Sequence, residues 1–332
     1  MSILAEPERS TALAIAERLK SEKAVVAVSH EAPDGDALGC LSALLLMCEK
    51  LGIACVGFIP GQAGFPPEYC FLPRLEKVVR GDHLPEILGA AVYLLDCASP
   101  SRLLSGEIPS KAVRINIDHH QDNSLFGDIN LVEPTAPSTT ALLYEIFCAG
   151  NLPLDVDIAT ALYVGLVTDT GKFQYSNTTP HAHRLAAELL ECGVDASAVC
   201  HLVYESVPLP KLQLLGRALS RLEVRLGGAL AVSRLANGDF AEFGADEGHA
   251  EGVIDTIRLL RGVRVAVLLK EKIGKGGVET KASLRSTDGS VDVAALAHEW
   301  GGGGHVRAAG FTARADADHV LEWLEGRLEE LL

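Results

Sequence analysis

The segment Ala112-Val113-Arg114-Ile115 is an apolar run that breaks off into Asn116-Ile117-Asp118-His119-His120. A short run of this kind, bounded by polar residues, reads as a buried strand of a parallel sheet. In an open α/β sheet, ligands bind outside the carboxyl ends of the strands, so polar groups at such an end are candidates for function. On its own, an aspartate followed by two histidines reads more readily as a surface turn.

The same pattern recurs elsewhere. Ala24 to Val28 ends in Ser29-His30-Glu31-Ala32-Pro33-Asp34-Gly35-Asp36, and Ala91 to Leu95 ends in Asp96. The amphipathic stretch Asp157 to Val167 leads into Thr168-Asp169-Thr170-Gly171. Each alone is explained by a turn or a helix cap. Together they are not: if Asp34, Asp36, Asp96 and Asp169 converge, their charges raise one another's pKa unless cations sit among them. Two divalent ions neutralise four carboxylates. Oxygen ligands with an imidazole each from His30 and His119 suit manganese first, with magnesium or cobalt as alternatives, better than a structural zinc. Ions about 3.5–4 Å apart clamp the attacking and leaving oxygens of an in-line phosphoryl displacement. The chemistry expected is phosphoester hydrolysis.

The order His30-x-x-x-Asp34-x-Asp36, Asp96, Asp118-His119-His120, Asp169 resembles the DHH phosphoesterase superfamily. Gly301-Gly302-Gly303-Gly304-His305, followed by Ala308-Ala309-Gly310, resembles the signature of its associated C-terminal domain. Among subfamilies the layout is most similar to the NrnA group, oligoribonucleases that also remove the 3′-phosphate of phosphoadenosine phosphate. The resemblance implies His30, Asp34 and Asp96 on one ion and Asp36, Asp96, His119 and Asp169 on the other, with Asp96 bridging. It implies that His120 acts on the scissile phosphate or leaving oxygen, and that Asp118, outside the ligand set, orients a neighbour.

The rest of the 332-residue chain agrees with a two-domain α/β protein. We expect a parallel-sheet catalytic domain over 1–190 with helices on both faces, a helical linker over 191–220, and a smaller α/β substrate-binding domain over 221–332. Ser10 to Lys20 and Ala37 to Leu51 read as helices, the second beginning at the site with its dipole favouring phosphate. Ser138-Thr139-Thr140 reads as a helix cap. Phe173 to Thr179 reads as a nucleotide pocket lining or a solvated turn, and His181 and His183 as surface residues. In the second domain a helix is expected over Gly248 to Leu260.

A net charge of −15 argues against a broad hold on long nucleic acid. A short anionic substrate held by local positive groups is compatible. Arg285 and Arg258 are candidate phosphate forks, with His305 and the amides of Gly302, Gly303 and Gly304 as further anion contacts. The expected partners are short RNA or small nucleotides gripped between the domains; the sequence leaves a homodimer open. With no apolar stretch of about 18 residues and cysteines lacking a C-x-x-C pairing, the chain reads as a cytoplasmic protein with reduced, mostly core thiols. The alternatives are a cyclic di-AMP or linear dinucleotide phosphodiesterase, a pyrophosphatase or exopolyphosphatase, and a metal-dependent nucleotide-binding regulator without turnover.

Overall fold

A computed structural model describes residues 3–62, 64–85, 89–100, 112–274 and 277–332. It divides into two compact units, Met1–Ser206 and Val207–Leu332. In chain order the first contains α1 (Glu6–Ser21), β1 (Ala24–Val28), α2 (Gly35–Lys50), β2 (Ala54–Pro60), β3 (Val78–Gly81), β4 (Ala91–Leu95), β5 (Arg114–Asp118), β6 (Ile129–Val132), α3 (Thr139–Ala149), α4 (Val156–Asp169), α5 (Pro180–Glu191) and α6 (Ala196–Cys200).

The six strands form one sheet in the order β3-β2-β1-β4-β5-β6, with every pairing parallel. Alternation along the strands decides what each face meets. Val25 and Ala27 point into the large core built with α1 to α5, while Ala24, Val26 and Val28 join Phe58, Val92 and Leu94 on the opposite face. That face is closed by Leu84, Ala112 and Phe126, and no described helix contributes to it. The expectation of helices on both faces falls, for this face, on the connection between β4 and β5, of which residues 101–111 lie outside the described residues. The connection from β5 to β6, residues 119–128, is irregular chain rather than a helix.

The strand carrying the two histidines also starts later than its apolar composition suggests, so Asn116 and Asp118 lie within β5, fully buried. Asp169 closes a helix rather than following a strand. α2 is buried almost all round, as its apolar composition requires, and it crosses α4 closely because Gly39 and Gly165 leave room. A Cβ at Gly39 would lie 2.5 Å from the Ala161 carbonyl oxygen. All eight cysteines are free thiols; Cys40, Cys48 and Cys97 are core residues, whereas Cys70 and Cys148 are exposed.

The second unit contains α7 (Leu209–Ser220), β7 (Glu223–Arg225), β8 (Leu230–Ala236), α8 (Asn237–Phe243), α9 (Val253–Ile257), β9 (Val265–Gly274), β10 (Gly277–Ser286), α10 (Val293–His298), β11 (Gly303–His305), β12 (Ala308–Ala313) and α11 (Ala317–Glu329). Its sheet runs β11-β12-β10-β9-β8-β7, and β8–β9 is its parallel pair. α10 and α11 cover one face, α7 and α9 the other. The helical stretch expected as a linker is shared out: Val199 and Val203 pack in the first core, Leu214 and Ala218 in the second unit. The helix expected over Gly248 to Leu260 breaks into a 3-10 turn and α9, because Gly252 takes a left-handed backbone between them.

Candidate active site

The strand order of the first unit reverses between β1 and β4, the position where open α/β sheets bind ligands. His30 follows β1 and Asp96 follows β4, and the two side chains meet there, His30 Nε2 lying 3.4 Å from Asp96 Oδ2. Asp96 turns the chain with a left-handed backbone, φ 56°, a conformation aspartate and asparagine enter more readily than other non-glycine residues. His119 and His120 follow β5, and α4 adds Asp169. Together with Glu31, Ala32 and Asp34 these residues line a mouth of about 510 Å³, within the range of small-ligand sites.

The carboxylates are fixed by backbone amides. Asp34 caps α2, its Oδ1 accepting from the amides of Asp36 and Ala37. Gly35 between them must be glycine, since a Cβ there would lie 2.4 Å from Thr168 Oγ1. Asp36 is buried and held by the first turn of α3: Oδ2 accepts from the Thr139 amide, and Oδ1 from the Thr140 amide and hydroxyl, at 2.6, 2.9 and 2.8 Å. Thr139 also donates its hydroxyl to Asp96 Oδ1. Ser138 caps α3 as expected. The two threonines after it, read from sequence only as part of that cap, reach across the fold to position acidic residues.

Crowding these groups has an electrostatic cost. Burial pushes the Asp36 carboxyl far above its ordinary range, and repulsion from Asp96, Asp169 and Asp34 adds to it. Asp34 is raised by the protein packed around it and then by Asp96, although it reaches solvent at the rim. Asp169 is pushed up to about 7, by burial first and by Asp96 and Asp34 against the opposing pull of His119. Burial acts on Asp96 too, but the hydrogen bond from His30 and the nearby imidazoles outweigh it and hold that carboxyl down at about 2. Among the described residues no Lys or Arg shifts the pKa of these four carboxylates, and an acidic cluster of this kind is one that divalent ions would relieve.

The donors sort into groups whose atoms lie within 4.8 Å of one another: His30, Asp34 and Asp96; Asp36, His119 and Asp169; and Asp96, His119 and His120. The ring of His119 is fixed by a hydrogen bond between Nδ1 and the Ala136 carbonyl, leaving Nε2 3.5 Å from Asp169 Oδ2 and 3.9 Å from Asp96 Oδ1. His120 donates Nδ1 to Asp118 Oδ1 at 2.7 Å, so that nitrogen is committed. Asp118 also accepts from the His119 amide and from Asn123, and Asn123 is tied in turn to Asn116. Asn177, from the turn after α4, donates to Asp169 Oδ2. Asn116, Asn123 and Asn177 carry no sequence signal that separates them from ordinary turn residues.

The remaining expected residues lie in the second unit. Arg285 and Arg258 share one carboxylate oxygen, Asp255 Oδ1, at 3.1 and 3.2 Å. Arg285, Ala308 and His305 are register partners on β10, β12 and β11, so their side chains leave the same face of the sheet. The glycine-rich stretch is partly an edge strand rather than an open loop: Gly303 and Gly304 pair with β12. Gly302 and Gly304 bring their backbone so close to it that a Cβ would lie 2.2 Å from the Gly310 carbonyl and 2.4 Å from that of Ala308. In the first unit, His181 is half-buried with Nε2 3.6 Å from Glu145, not a free surface residue, and His183 stacks on Phe173.

Comparison with known proteins agrees with this geometry. The DHH family, N-terminal domain, matches residues 24–166, and the DHHA1 domain matches residues 227–331. A bifunctional oligoribonuclease and PAP phosphatase NrnA from Thermus thermophilus is 34% identical over 322 residues, covering 96% of this chain and 93% of that protein. Among solved structures, an exopolyphosphatase-related protein from Bacteroides fragilis superposes with a TM-score of 0.85 at 22% identity, covering 99% of this chain and 98% of that one. RecJ from Thermus thermophilus, solved in complex with Mn²⁺, gives a TM-score of 0.54 at 19% identity over 99% of this chain and 55% of its own. No described helix is long and apolar enough to cross a membrane.

Proposed function

Because this chain belongs to the DHH family of phosphoesterases, its second unit carrying the DHHA1 domain, we propose that it hydrolyses short oligoribonucleotides to mononucleotides and removes the 3′-phosphate of phosphoadenosine phosphate. The observation that carries this reading is the convergence of Asp34, Asp36, Asp96 and Asp169 with His30 and His119 at one mouth of the sheet.

In this reading His30, Asp34 and Asp96 hold one divalent ion, and Asp36, Asp96, His119 and Asp169 the other, with manganese preferred. The donor set fits hard divalent cations: carboxylate oxygens dominate, and an imidazole serves each group. A bound pair of ions supplies the positive charge that phosphoryl transfer demands and brings the pKa of water from about 15.7 toward 7. Asp96 serves both sides because its two oxygens face different donors, Oδ2 toward His30 and Oδ1 toward Thr139 and the other histidines. Asp118 holds the proton on His120 Nδ1 and steadies the ring when it is charged, so Nε2 is the atom that passes a proton to the leaving oxygen. Arg258, Arg285, His305 and the amides of Gly303 and Gly304 are the proposed anion contacts of the second unit; the Gly302 amide, expected among them, is instead committed to the Ala297 carbonyl.

The test is a time course with Mn²⁺ on an RNA dinucleotide, a longer oligoribonucleotide, structured RNA, phosphoadenosine phosphate, cyclic di-AMP and pyrophosphate, offered separately. Turnover of the short RNAs and of phosphoadenosine phosphate supports the proposal. Turnover of pyrophosphate alone discards the nucleotide assignment, and metal binding without turnover of any of them points to a regulator.

A further inference from the structure

The three residues grouped as Asp36, His119 and Asp169 come from α2, the chain just after β5 and α4, yet their orientation runs through one short piece of chain, residues 136–140. The Ala136 carbonyl fixes His119, and the amides of Thr139 and Thr140 fix Asp36. Asp169 is fastened to the same piece by Asn177, whose Nδ2 donates to the Pro137 carbonyl at 2.9 Å, to the Asp169 carbonyl at 3.1 Å and to Asp169 Oδ2 at 3.3 Å. All three neighbours are acceptors, so the amide nitrogen must face them whichever way the group is assigned. The other end, Oδ1, is buried without a hydrogen-bond partner among the described residues.

We infer that Asn177 is a positioning residue that locks Asp169 to the segment orienting His119 and Asp36, and so sets the affinity of that ion site alone. Asn177 itself donates to none of His30, Asp34 and Asp96: Asp34 is held by the amides of α2, and Asp96, which both proposed sites share, by His30 and Thr139. Outer partners of metal-binding carboxylates typically change affinity about 10–100-fold when removed, and this one acts on a single group. The inference rests on the proposed function, since it requires two ion sites.

The experiment is Mn²⁺ binding to the full-length, EDTA-treated protein, followed by the electron paramagnetic resonance of free Mn²⁺. In the wild type two classes of site are expected, one abolished by Asp169→Asn and the other by Asp34→Asn. Asn177→Ala should weaken the first class about 10–100-fold and leave the second unchanged. It should add nothing to Asp169→Asn and act in full on Asp34→Asn, as expected for a coupled and an independent pair. Thermal melting of the metal-free variant monitors folding. If alanine fails to fold, Asn177→Ser, which keeps a shorter donor, gives the same readout with a smaller loss. Equal weakening of both classes, or of neither, overturns the inference. A wild-type chain that takes up no Mn²⁺ overturns the proposed function itself, and this inference with it.

Discussion

Without metal, this protein should lose stability as the pH rises from about 5 to 8, the reverse of what paired surface carboxylates produce. Asp169 has its carboxyl raised from 3.8 to about 7 in the fold. The folded chain therefore holds a proton that the unfolded chain releases near pH 4, and folding weakens wherever the unfolded state binds fewer protons. The loss begins above 3.8 and is complete above about 7. At about 1.4 kcal/mol per pH unit, the two units between pH 5 and the carboxyl's value of about 7 remove roughly 3 kcal/mol, and about half of that if neighbouring groups share the proton. Asp34 and Asp36 are raised as well and act in the same direction. Asp96 is held at about 2, so its contribution is constant from pH 5 to 8 and disappears only in stronger acid. For a unit of this size, about 1–3 kcal/mol corresponds to a melting shift of roughly 3–10 °C. The assay is a thermal melt of EDTA-treated protein at pH 5 and pH 8, repeated with Mn²⁺ and with Asp169→Asn. The expected result is a lower melting temperature at pH 8, restored by Mn²⁺ and reduced in its pH dependence by the substitution. A metal-free protein that melts higher at pH 8 than at pH 5 refutes the reasoning.

Other substitutions separate the roles. Asp96→Asn preserves the residue type its left-handed backbone tolerates, so the protein should fold while activity falls more than about 100-fold, beyond what outer-shell changes cost; circular dichroism and turnover check both halves. His120→Ala should cut kcat by about 10²–10⁴ with Mn²⁺ binding unchanged, as read by titration. Gly165→Ala would place a Cβ 2.4 Å from Thr140 Cγ2 and 2.6 Å from Asp36 Oδ1; overpacking of this kind costs about 1–3 kcal/mol, and it should weaken Mn²⁺ binding and lower the melting temperature together. Arg285→Ala should raise KM about tenfold, the loss of one charge-assisted contact, with kcat held, measured on a short RNA.

What the sequence made legible was the part written locally. The runs Ala24–Val28 and Ala91–Leu95 coincide with β1 and β4, because a strand buried on both faces has no choice but to be apolar throughout. The residues ending those runs meet because strand order, not sequence distance, brings His30 beside Asp96. The supporting hydrogen bonds were not legible. Thr139 and Thr140 reach Asp36 across more than a hundred residues, and a threonine in a helix's first turn looks the same whether it caps or carries a ligand. The short strands β3, β6, β7 and β11 went unseen for a related reason: three or four residues are too few to set up a period. Gly303 and Gly304 pair as a strand despite a composition that signals a turn, since close approach to β12 requires the absence of a side chain.

The acidic cluster is drawn from positions as far apart as His30 and Asp169, which gives it a place in the timetable of synthesis. A ribosome adding about 5–20 residues per second delivers β1 and α2 first and α4 only after all six strands have been made. Until α4 docks, Asp36 and Asp96 lack both the Asp169 carboxylate and the helix that helps to bury Asp36, so part of the repulsion that burdens the finished fold does not yet exist. The last share of the electrostatic penalty therefore arrives with α4, when the site is complete enough to receive the ions that would relieve it.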